Sequence, residues 1–210
     1  MSWFYYFSRF FVHVFFAATT SWRISGRENI PPTEPVIVVC NHLTFAEPPM
    51  IGVLLQRPVG FAAKEGFFRF KPLGAIMRSY GAFPVCPGKA DKETIRKMES
   101  VVKEGRALVI FPEGTRSLQD ELLPALTGAA LVAHRTGVPI LPVAIYGTEQ
   151  LRKKWWFLKR PVIHINVGKM FKLPAGSGKT DRAEATNQIM KSIADLLPAE
   201  YHGAYKAVQE

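Results

Sequence analysis

The fold is decided by residues 36–49, which read VIVVCNHLTFAEPP. Val36–Cys40 is a continuous apolar run rich in β-branched residues, which predicts a strand buried on both faces of a parallel sheet. Pro48 and Pro49 are tolerated in the first turn of a helix, because the amide hydrogens that they lack would be unpaired there. The stretch therefore predicts a buried strand, a polar turn and an apolar helix that continues over residues 50–56.

The same alternation of strands and helices continues along the rest of the chain. Apolar runs predict further strands at 59–63, Ala82–Val85, 107–111, Ile140–Tyr146 and Val162–Val167. Helical spacing is found at 67–80 with a break at Pro72, at 91–104, at 126–136 before Gly137, and at 180–196. Strands that alternate with helices indicate an α/β fold, with a mostly parallel central sheet flanked by helices.

Composition limits the classes of function. The 210 residues are 48% hydrophobic, which allows a sizeable core and excludes wholesale disorder. Lys and Arg number 27 against 17 Asp and Glu, and the net charge of +10 indicates an anionic partner, which could be a membrane surface, nucleic acid or a substrate. The two cysteines form no CxxC pair and no histidines have metal-site spacing, so we expect no metal.

The N-terminal segment is unusually aromatic. Residues 3–18 read WFYYFSRFFVHVFFAA, and this run is shorter than the roughly 20 apolar residues needed to span a bilayer. It predicts a helix that lies in the membrane interface with the Arg9 side chain extended toward the headgroups, and the alternative is a helix packed on the protein's own core. Because Arg9 lies inside the apolar run, a signal peptide is disfavoured.

Two domains are predicted from this change of composition. Residues 1–22 are the N-terminal membrane-interface helix, and residues 23–210 are the main domain. Residues 23–35, which are rich in turn formers, enter the main domain as a linker or as a short edge strand.

A second stretch combines basic and aromatic residues. Residues 151–160, the basic-aromatic segment, read LRKKWWFLKR. This pattern suits anionic lipid headgroups, but it also suits single-stranded nucleic acid or a solvated loop with its aromatic rings folded underneath. Since no nucleic-acid-binding motif is present, we expect a membrane partner and no nucleic acid. The two cysteines cannot form a disulfide framework, which indicates a reducing compartment. We therefore predict a location at the cytoplasmic face of a membrane.

His42 and Glu47 are candidates for acid–base chemistry. His42 directly follows the buried strand, at the sheet edge where ligands bind in open α/β folds. In a continuous helix the two side chains would face about 140° apart, so they meet only if the chain turns first and the helix begins later. A histidine beside a carboxylate is a general base with a fixed tautomer. The alternative is that His42 only ends the strand and Glu47 only supports the helix N-terminus.

Residues 111–117, FPEGTRS, follow another strand. Gly114 permits a tight turn close to a ligand, and Arg116 offers a planar fork that suits a phosphate or a carboxylate. Glu113 could hold that arginine or another cation. A surface turn with a local salt bridge is the alternative.

Five ordered stretches resemble the blocks of the glycerophospholipid acyltransferase family, whose best-known members are the lysophosphatidic acid (1-acylglycerol-3-phosphate) acyltransferases. The stretches are NHLTFAE at 41–47, KEG at 64–66, GAFPV at 81–85, FPEGTRS at 111–117 and VPILPVAIYG at 138–147. The resemblance implies transfer of a fatty acyl group from acyl-CoA or acyl carrier protein to a hydroxyl of lysophosphatidic acid or a related lysophospholipid, with no tightly held cofactor.

The resemblance also implies roles for particular residues. His42 would be the base on the acceptor hydroxyl and Glu47 would orient it, while Lys64 would hold the anionic headgroup. The acceptor site would be lined by Glu113, Gly114, Thr115 and Arg116, with Arg116 on the phosphate.

The sequence departs from the family pattern at three places. After FPEGTRS the family often has a Lys just before a Gly, whereas here Leu126 and Thr127 precede Gly128. Residue 47 is Glu where the family normally has Asp, which we interpret as variation without loss of activity. GAFPV is followed by Cys86 and Pro87 instead of a basic residue, and Lys89 is the candidate replacement. A non-catalytic membrane or lipid-binding protein on the same scaffold is the alternative function.

Overall fold

The computed structural model describes residues 3–85, 92–174 and 178–206, which form one seven-stranded sheet with helices on both faces. Cys86 and Lys89 lie outside these residues. The strands are β1 (Ser21–Ser25), β2 (Val36–Cys40), β3 (Val59–Lys64), β4 (Ala82–Val85), β5 (Ala107–Ile110), β6 (Ile140–Tyr146) and β7 (Val162–Val167). The α-helices are α1 (Trp3–Thr19), α2 (Glu47–Leu55), α3 (Gly66–Arg69), α4 (Lys71–Ser79), α5 (Lys92–Lys103), α6 (Gly128–Thr136), α7 (Trp156–Lys159) and α8 (Lys179–Ala194). Short 3-10 helices occupy Arg27–Asn29, Thr148–Arg152, Ala199–Tyr201 and Gly203–Tyr205.

The sheet has the predicted, mostly parallel architecture. The strand order is β1-β7-β6-β2-β5-β3-β4, and among these described strands only the β6–β7 pair is antiparallel. Every residue of the central strand β2 is buried. Alternate β2 side chains face two hydrophobic layers, one packed against α1 and α2 and the other against α5, α6 and α8. The α/β prediction is therefore confirmed.

Most predicted strands agree with the observed ones. Strands β2, β4, β6 and β7 have the predicted bounds, and Gly137 ends α6 with a φ of 65°. The predicted break at Pro72 is wrong by two residues, because the helical stretch is interrupted at Phe70 and Pro72 lies in the first turn of α4. Proline is accommodated there because it need not donate a backbone hydrogen bond.

The N-terminal helix has two different faces. The Tyr5 and Phe16 side chains are buried, and the Tyr5 hydroxyl donates a 2.8 Å hydrogen bond to the Arg57 carbonyl. The core-packing alternative is thus confirmed for this face. The opposite face exposes large apolar side chains, namely Tyr6, Phe7, Phe10, Phe11, Val14 and Phe15. No helix within the described parts of the chain combines the length and apolar character needed to cross a bilayer.

Arg9 does not take the predicted extended position. Its Nη1 atom is buried and has no hydrogen-bond partner among the described residues, and its guanidinium carbon lies 6.0 Å from the centroid of the Tyr6 ring. The expected extension toward headgroups is therefore wrong for this side chain. The reason is that its guanidinium lies near the Tyr6 ring, three residues earlier in the same helix, with Nη1 buried.

The segment after α1 is an edge strand. Strand β1 lies parallel to β7 and pairs Trp22 with Ile163. Of the two alternatives for this segment, the edge strand is confirmed and the linker is wrong for residues 23–25. The predicted boundary between residues 22 and 23 falls within β1.

The sheet topology brings the sequence motifs together. Strands β2, β5 and β3 are mutually parallel neighbours, so their carboxyl ends lie at one edge of the sheet. The three segments that begin or follow there are 41–47, 111–117 and 64–66. This edge is where ligands bind in open α/β sheets.

Candidate active site

His42 and Glu47 meet, as predicted. The chain turns over residues 41–46 and helix α2 begins at Glu47. His42 Nδ1 then lies 2.9 Å from Glu47 Oε2. Because a carboxylate accepts hydrogen bonds, Nδ1 carries the hydrogen in this pair and Nε2 is left with a free lone pair. The two side chains thus have the geometry of a general base with its orienting acid.

The Glu47 carboxylate is held on both oxygens. The side chain is fully buried, and Oε2 also accepts the Thr44 backbone N–H at 2.7 Å. Oε1 accepts the Thr44 hydroxyl at 2.8 Å. The N-terminal end of α2 adds a favourable field for negative charge. These contacts fix the carboxylate, so the longer side chain of Glu still reaches His42 in one defined geometry.

The His42 ring is restrained but reachable. It stacks on the Phe111 ring with centroids 4.3 Å apart and an angle of 28° between the planes. The side chain is 16% exposed. Asn41, the residue before it, exchanges two 2.8 Å hydrogen bonds with the backbone of Ile145 on β6. The turn that carries His42 is therefore tied to its neighbouring strand.

Glu113 supports the backbone of His42. Its Oε1 accepts the His42 N–H at 2.9 Å, and its Oε2 accepts the Leu123 N–H at 2.9 Å. The Ser117 N–H donates to the His42 carbonyl at 2.8 Å. The role of Glu113 in lining the acceptor site stays a prediction, but its side chain is only 5% exposed. The reason is that both oxygens are directed at backbone N–H groups on either side.

The loop around Leu123 is in turn held by the end of the chain. The Leu122 N–H donates to the Tyr201 carbonyl at 2.8 Å, and the Ala204 N–H donates to the Leu122 carbonyl at 3.1 Å. The Ala125 N–H donates to the Tyr205 hydroxyl at 3.1 Å. Residues near position 200 thus contribute to the support of His42 through Glu113.

Burial raises the pKa of Glu113 to about 7, although the N–H groups of Leu123 and His42 lower it. Glu47 raises it further through like-charge repulsion. A carboxyl that titrates near neutral pH therefore lies directly behind the candidate base.

We expect Glu113→Gln to change how stability depends on pH. A carboxyl whose pKa is raised from 4.5 to about 7 on folding contributes stability that is fully present below pH 4.5 and lost as the pH rises through 7. Because Gln does not titrate, the unfolding free energy of the unmodified protein minus that of the variant should fall by about 2–3 kcal/mol from pH 5 to pH 8. Urea unfolding over this range measures the difference.

The control for this experiment is Glu184→Gln, which removes an exposed carboxyl from α8. Its difference from the unmodified protein should stay nearly constant over the same range. A constant difference for Glu113→Gln as well would mean that the two N–H donors keep the carboxylate ionised throughout.

The remaining predicted binding residues are accessible. Lys64, Gly114 and Thr115 are exposed, and Arg116 is half-buried. Gly114 has a φ of 68°, a left-handed backbone conformation that favours glycine at this turn. Contact of these residues with an acceptor stays a prediction.

Arg116 forms no ion pair with Glu113, although the sequence had suggested one as an alternative. Its guanidinium carbon instead lies 3.5 Å from the centroid of the Phe45 ring. The sequence analysis did not single out Phe45. Its one distinguishing feature in the sequence is that it is an aromatic residue in the polar turn between His42 and Glu47.

A cleft of about 330 Å³ opens beside this edge of the sheet and is called here the α1–α7 cleft. Arg116 and Arg152 contribute its two guanidinium groups. Its other lining residues come from α1, the turn before α2, the first turn of α2 and the basic-aromatic segment, namely Phe15, Phe16, Thr44, Phe45, Ala46, Pro49, Leu151 and Trp156. A mostly apolar wall with cationic groups suits an anionic amphiphile. In the described parts of the chain, no three His, Cys, Asp or Glu side chains cluster as metal ligands.

The sequence has clear relatives. Compared with the 1-acyl-sn-glycerol-3-phosphate acyltransferase of Bacillus subtilis it is 25% identical over 182 residues, which cover 83% of this chain and 89% of the relative. A relative of the same name from Chlamydomonas reinhardtii is 31% identical over 186 residues, 86% of this chain and 54% of the relative. A chloroplastic one from Brassica napus is 32% identical over 133 residues, 61% of this chain and 38% of the relative. The chain thus spans about half or less of these algal and plant proteins.

The fold also matches a solved structure. The crystal structure of the 1-acyl-sn-glycerophosphate (LPA) acyltransferase PlsC from Thermotoga maritima superposes with a TM-score of 0.69 at 23% identity, over 91% of this chain and 79% of that one. At this identity the match shows a shared fold. The sequence model of the Acyltransferase family matches residues 21–146, which include both His42 and the 111–117 motif. Since this match covers more than half of the chain, the protein belongs to the Acyltransferase family.

Proposed function

We propose that this protein transfers a fatty acyl group from an acyl thioester, acyl-CoA or acyl carrier protein, to a hydroxyl of lysophosphatidic acid or a related lysophospholipid. The observation that carries the proposal is the 2.9 Å contact between His42 Nδ1 and Glu47 Oε2 at the ligand-binding edge of the sheet. Family membership and relatives named as 1-acyl-sn-glycerol-3-phosphate acyltransferases support the choice of substrates.

In the proposed reaction, His42 Nε2 takes the proton of the acceptor hydroxyl as the oxygen attacks the thioester carbonyl. A carbon–oxygen bond forms, the carbon–sulfur bond breaks, and the imidazolium returns its proton to the leaving thiolate. Glu47 stabilises the imidazolium while it exists, and backbone N–H groups near the motif turns stabilise the oxyanion. Each step uses groups of the protein and the two substrates, so the reaction requires no metal or tightly held cofactor.

The acceptor is proposed to bind in the α1–α7 cleft. Arg116 would hold the phosphate, since a guanidinium forms bidentate hydrogen bonds with phosphate oxygens. Lys64 would add a second positive charge. The apolar side chains of Phe15 and Trp156, whose rings lie 6.1 Å apart, would contact the acyl chain.

We also propose that the protein binds to the surface of a membrane, at its cytoplasmic face. The exposed face of α1 and the basic-aromatic segment are adjacent, because Arg160 donates a 3.1 Å hydrogen bond to the Ala17 carbonyl. Within that segment Trp155, Phe157 and Leu158 are exposed next to lysines. Aromatic rings flanked by positive charge favour the headgroup region of anionic bilayers.

Membrane binding by the exposed aromatic face of α1 can be tested without changing the residues that α1 buries in the core. Deletion of residues 1–21 would remove the buried Tyr5 and Phe16, so substitution is the sharper test. We expect Phe10→Ser combined with Phe11→Ser to weaken binding to vesicles of phosphatidylglycerol and phosphatidylethanolamine by at least about tenfold, from the apolar area lost. Co-sedimentation measures the binding, and Met170→Ser is the control at an exposed apolar residue outside α1 and α7. Unchanged binding of the double variant would move the contact to the basic-aromatic segment.

The activity itself is tested with purified protein in detergent. Several lysolipids should be offered, each with acyl-CoA and with acyl carrier protein as donor. We expect an esterified product with lysophosphatidic acid or a related lysophospholipid. If no combination gives turnover while the protein still binds these lipids, the non-catalytic lipid-binding alternative is correct.

A further inference from the structure

The Arg116 side chain rests on an exposed aromatic ring. Its guanidinium carbon lies 3.5 Å from the centroid of the Phe45 ring, which is contact distance for a stacked cation–π pair. Phe45 is 58% exposed although it lies in the turn between the two candidate catalytic residues. Its ring is oriented by Phe67, which meets it edge-on at 88° with centroids 5.6 Å apart. An exposed ring with a supporting neighbour on one side and a guanidinium on its face has a defined orientation.

The two guanidinium groups of the α1–α7 cleft differ in what they contact. Arg152 forms an ion pair with Asp120 and donates to the Leu118 carbonyl at 3.3 Å. Arg116 has no hydrogen-bond or ion-pair partner among the residues that the structure describes. Stacking uses the face of a guanidinium and leaves the N–H groups in its plane free. Arg116 is therefore the guanidinium in this cleft whose donors are available to a phosphate.

We propose that Phe45 is a positioning residue for the acceptor's phosphate. By holding the guanidinium flat, the ring reduces the freedom that the long arginine side chain would lose when it binds the phosphate. The Phe45 ring also fixes the direction of the in-plane N–H donors of Arg116 relative to His42, because Phe45 lies three residues after His42 in the same turn. The inference rests on the proposed function, because it takes the phosphate of a lysophospholipid as the ligand of Arg116.

Phe45→Leu tests the inference, since leucine keeps an apolar side chain and removes the aromatic face. We expect a roughly 3- to 30-fold rise in the KM for lysophosphatidic acid, with a nearly unchanged KM for the acyl donor. Phe45→Tyr keeps the ring and should restore the acceptor KM. Phe70→Leu makes the same change at an exposed ring outside the cleft and should leave both KM values unchanged. Circular dichroism of each variant checks the fold.

A double-mutant cycle separates positioning from a structural role. If Phe45 acts through Arg116, then Phe45→Leu should have no further effect on the acceptor KM when Arg116 is already alanine. An equal rise in both backgrounds, or no rise in Phe45→Leu alone, would overturn the inference while leaving the proposed function in place. If Arg116→Ala itself leaves the acceptor KM unchanged, the proposed phosphate contact is wrong and the inference fails with it.

Discussion

His42→Ala is expected to lower kcat by about 10²–10⁴-fold, the range that a positioned general base supplies. The reason is that the variant removes the imidazole whose Nδ1 contacts Glu47 and whose Nε2 lone pair is therefore free to accept a proton. The fold should survive, because the backbone hydrogen bonds of residue 42 to Glu113 and Ser117 do not involve its side chain. Acyl-transfer rates measured at saturating acceptor and donor give the change in kcat.

The matched control for this variant is His164→Ala. His164 also stacks on an aromatic ring, since its centroid lies 4.6 Å from that of Tyr146, but it lies in strand β7. Loss of a stacked imidazole alone should therefore leave kcat nearly unchanged. If the two variants have similar rates, His42 has no part in the reaction.

Glu47→Gln is the second change with a large expected effect. It tests the role of the negative charge at residue 47, because Gln can keep the local hydrogen bonds. The amide oxygen at the position of Oε2 can still accept from His42 Nδ1 and from the Thr44 N–H. The amide hydrogens then face the Thr44 hydroxyl, which can rotate to accept one of them. Geometry is thus retained while the charge that stabilises the imidazolium is lost. We expect kcat to fall by about 10²-fold or more.

Glu47→Asp provides the comparison at constant charge. The side chain is shorter by one methylene, and the fully buried carboxylate is held to Thr44 at 2.7 and 2.8 Å, so the shorter acid cannot keep every contact. We expect kcat for Asp to lie between the values for Gln and for the unmodified protein. An Asp variant that equals or exceeds the unmodified protein shows a tolerant site. A Gln variant with normal kcat would mean that Glu47 only supports the start of α2.

The sequence was most informative where one local property decides the structure. Val36–Cys40 forms a strand because five consecutive apolar residues, most of them β-branched, favour a buried sheet position over a short helix. The contact between His42 and Glu47 could also be foreseen, since Pro48 and Pro49 delay the helix and leave a turn before it. In both cases the deciding residues lie within a few positions of one another.

The parts that could not be predicted depend on partners far away in the sequence. For strand β1 the sequence left a linker and an edge strand as alternatives, and the strand forms because its short, partly polar backbone pairs with β7 about 140 residues later. Glu113 is directed inward by the N–H groups of His42 and Leu123, and neither position is visible in the FPEGTRS string. The contact between Arg116 and Phe45 joins two loops that only the sheet topology brings together.

The support of His42 by Glu113, and of the Leu123 loop by the end of the chain, has a consequence for biosynthesis. The contacts from Tyr201, Ala204 and Tyr205 can form only after these three residues have been made and have left the ribosome. At typical elongation rates, roughly 10–30 s separate the synthesis of His42 from that of these residues. A nascent chain that has not yet reached residue 201 therefore carries its base in a loop without this support, and the support is completed about 160 residues after the base itself is made.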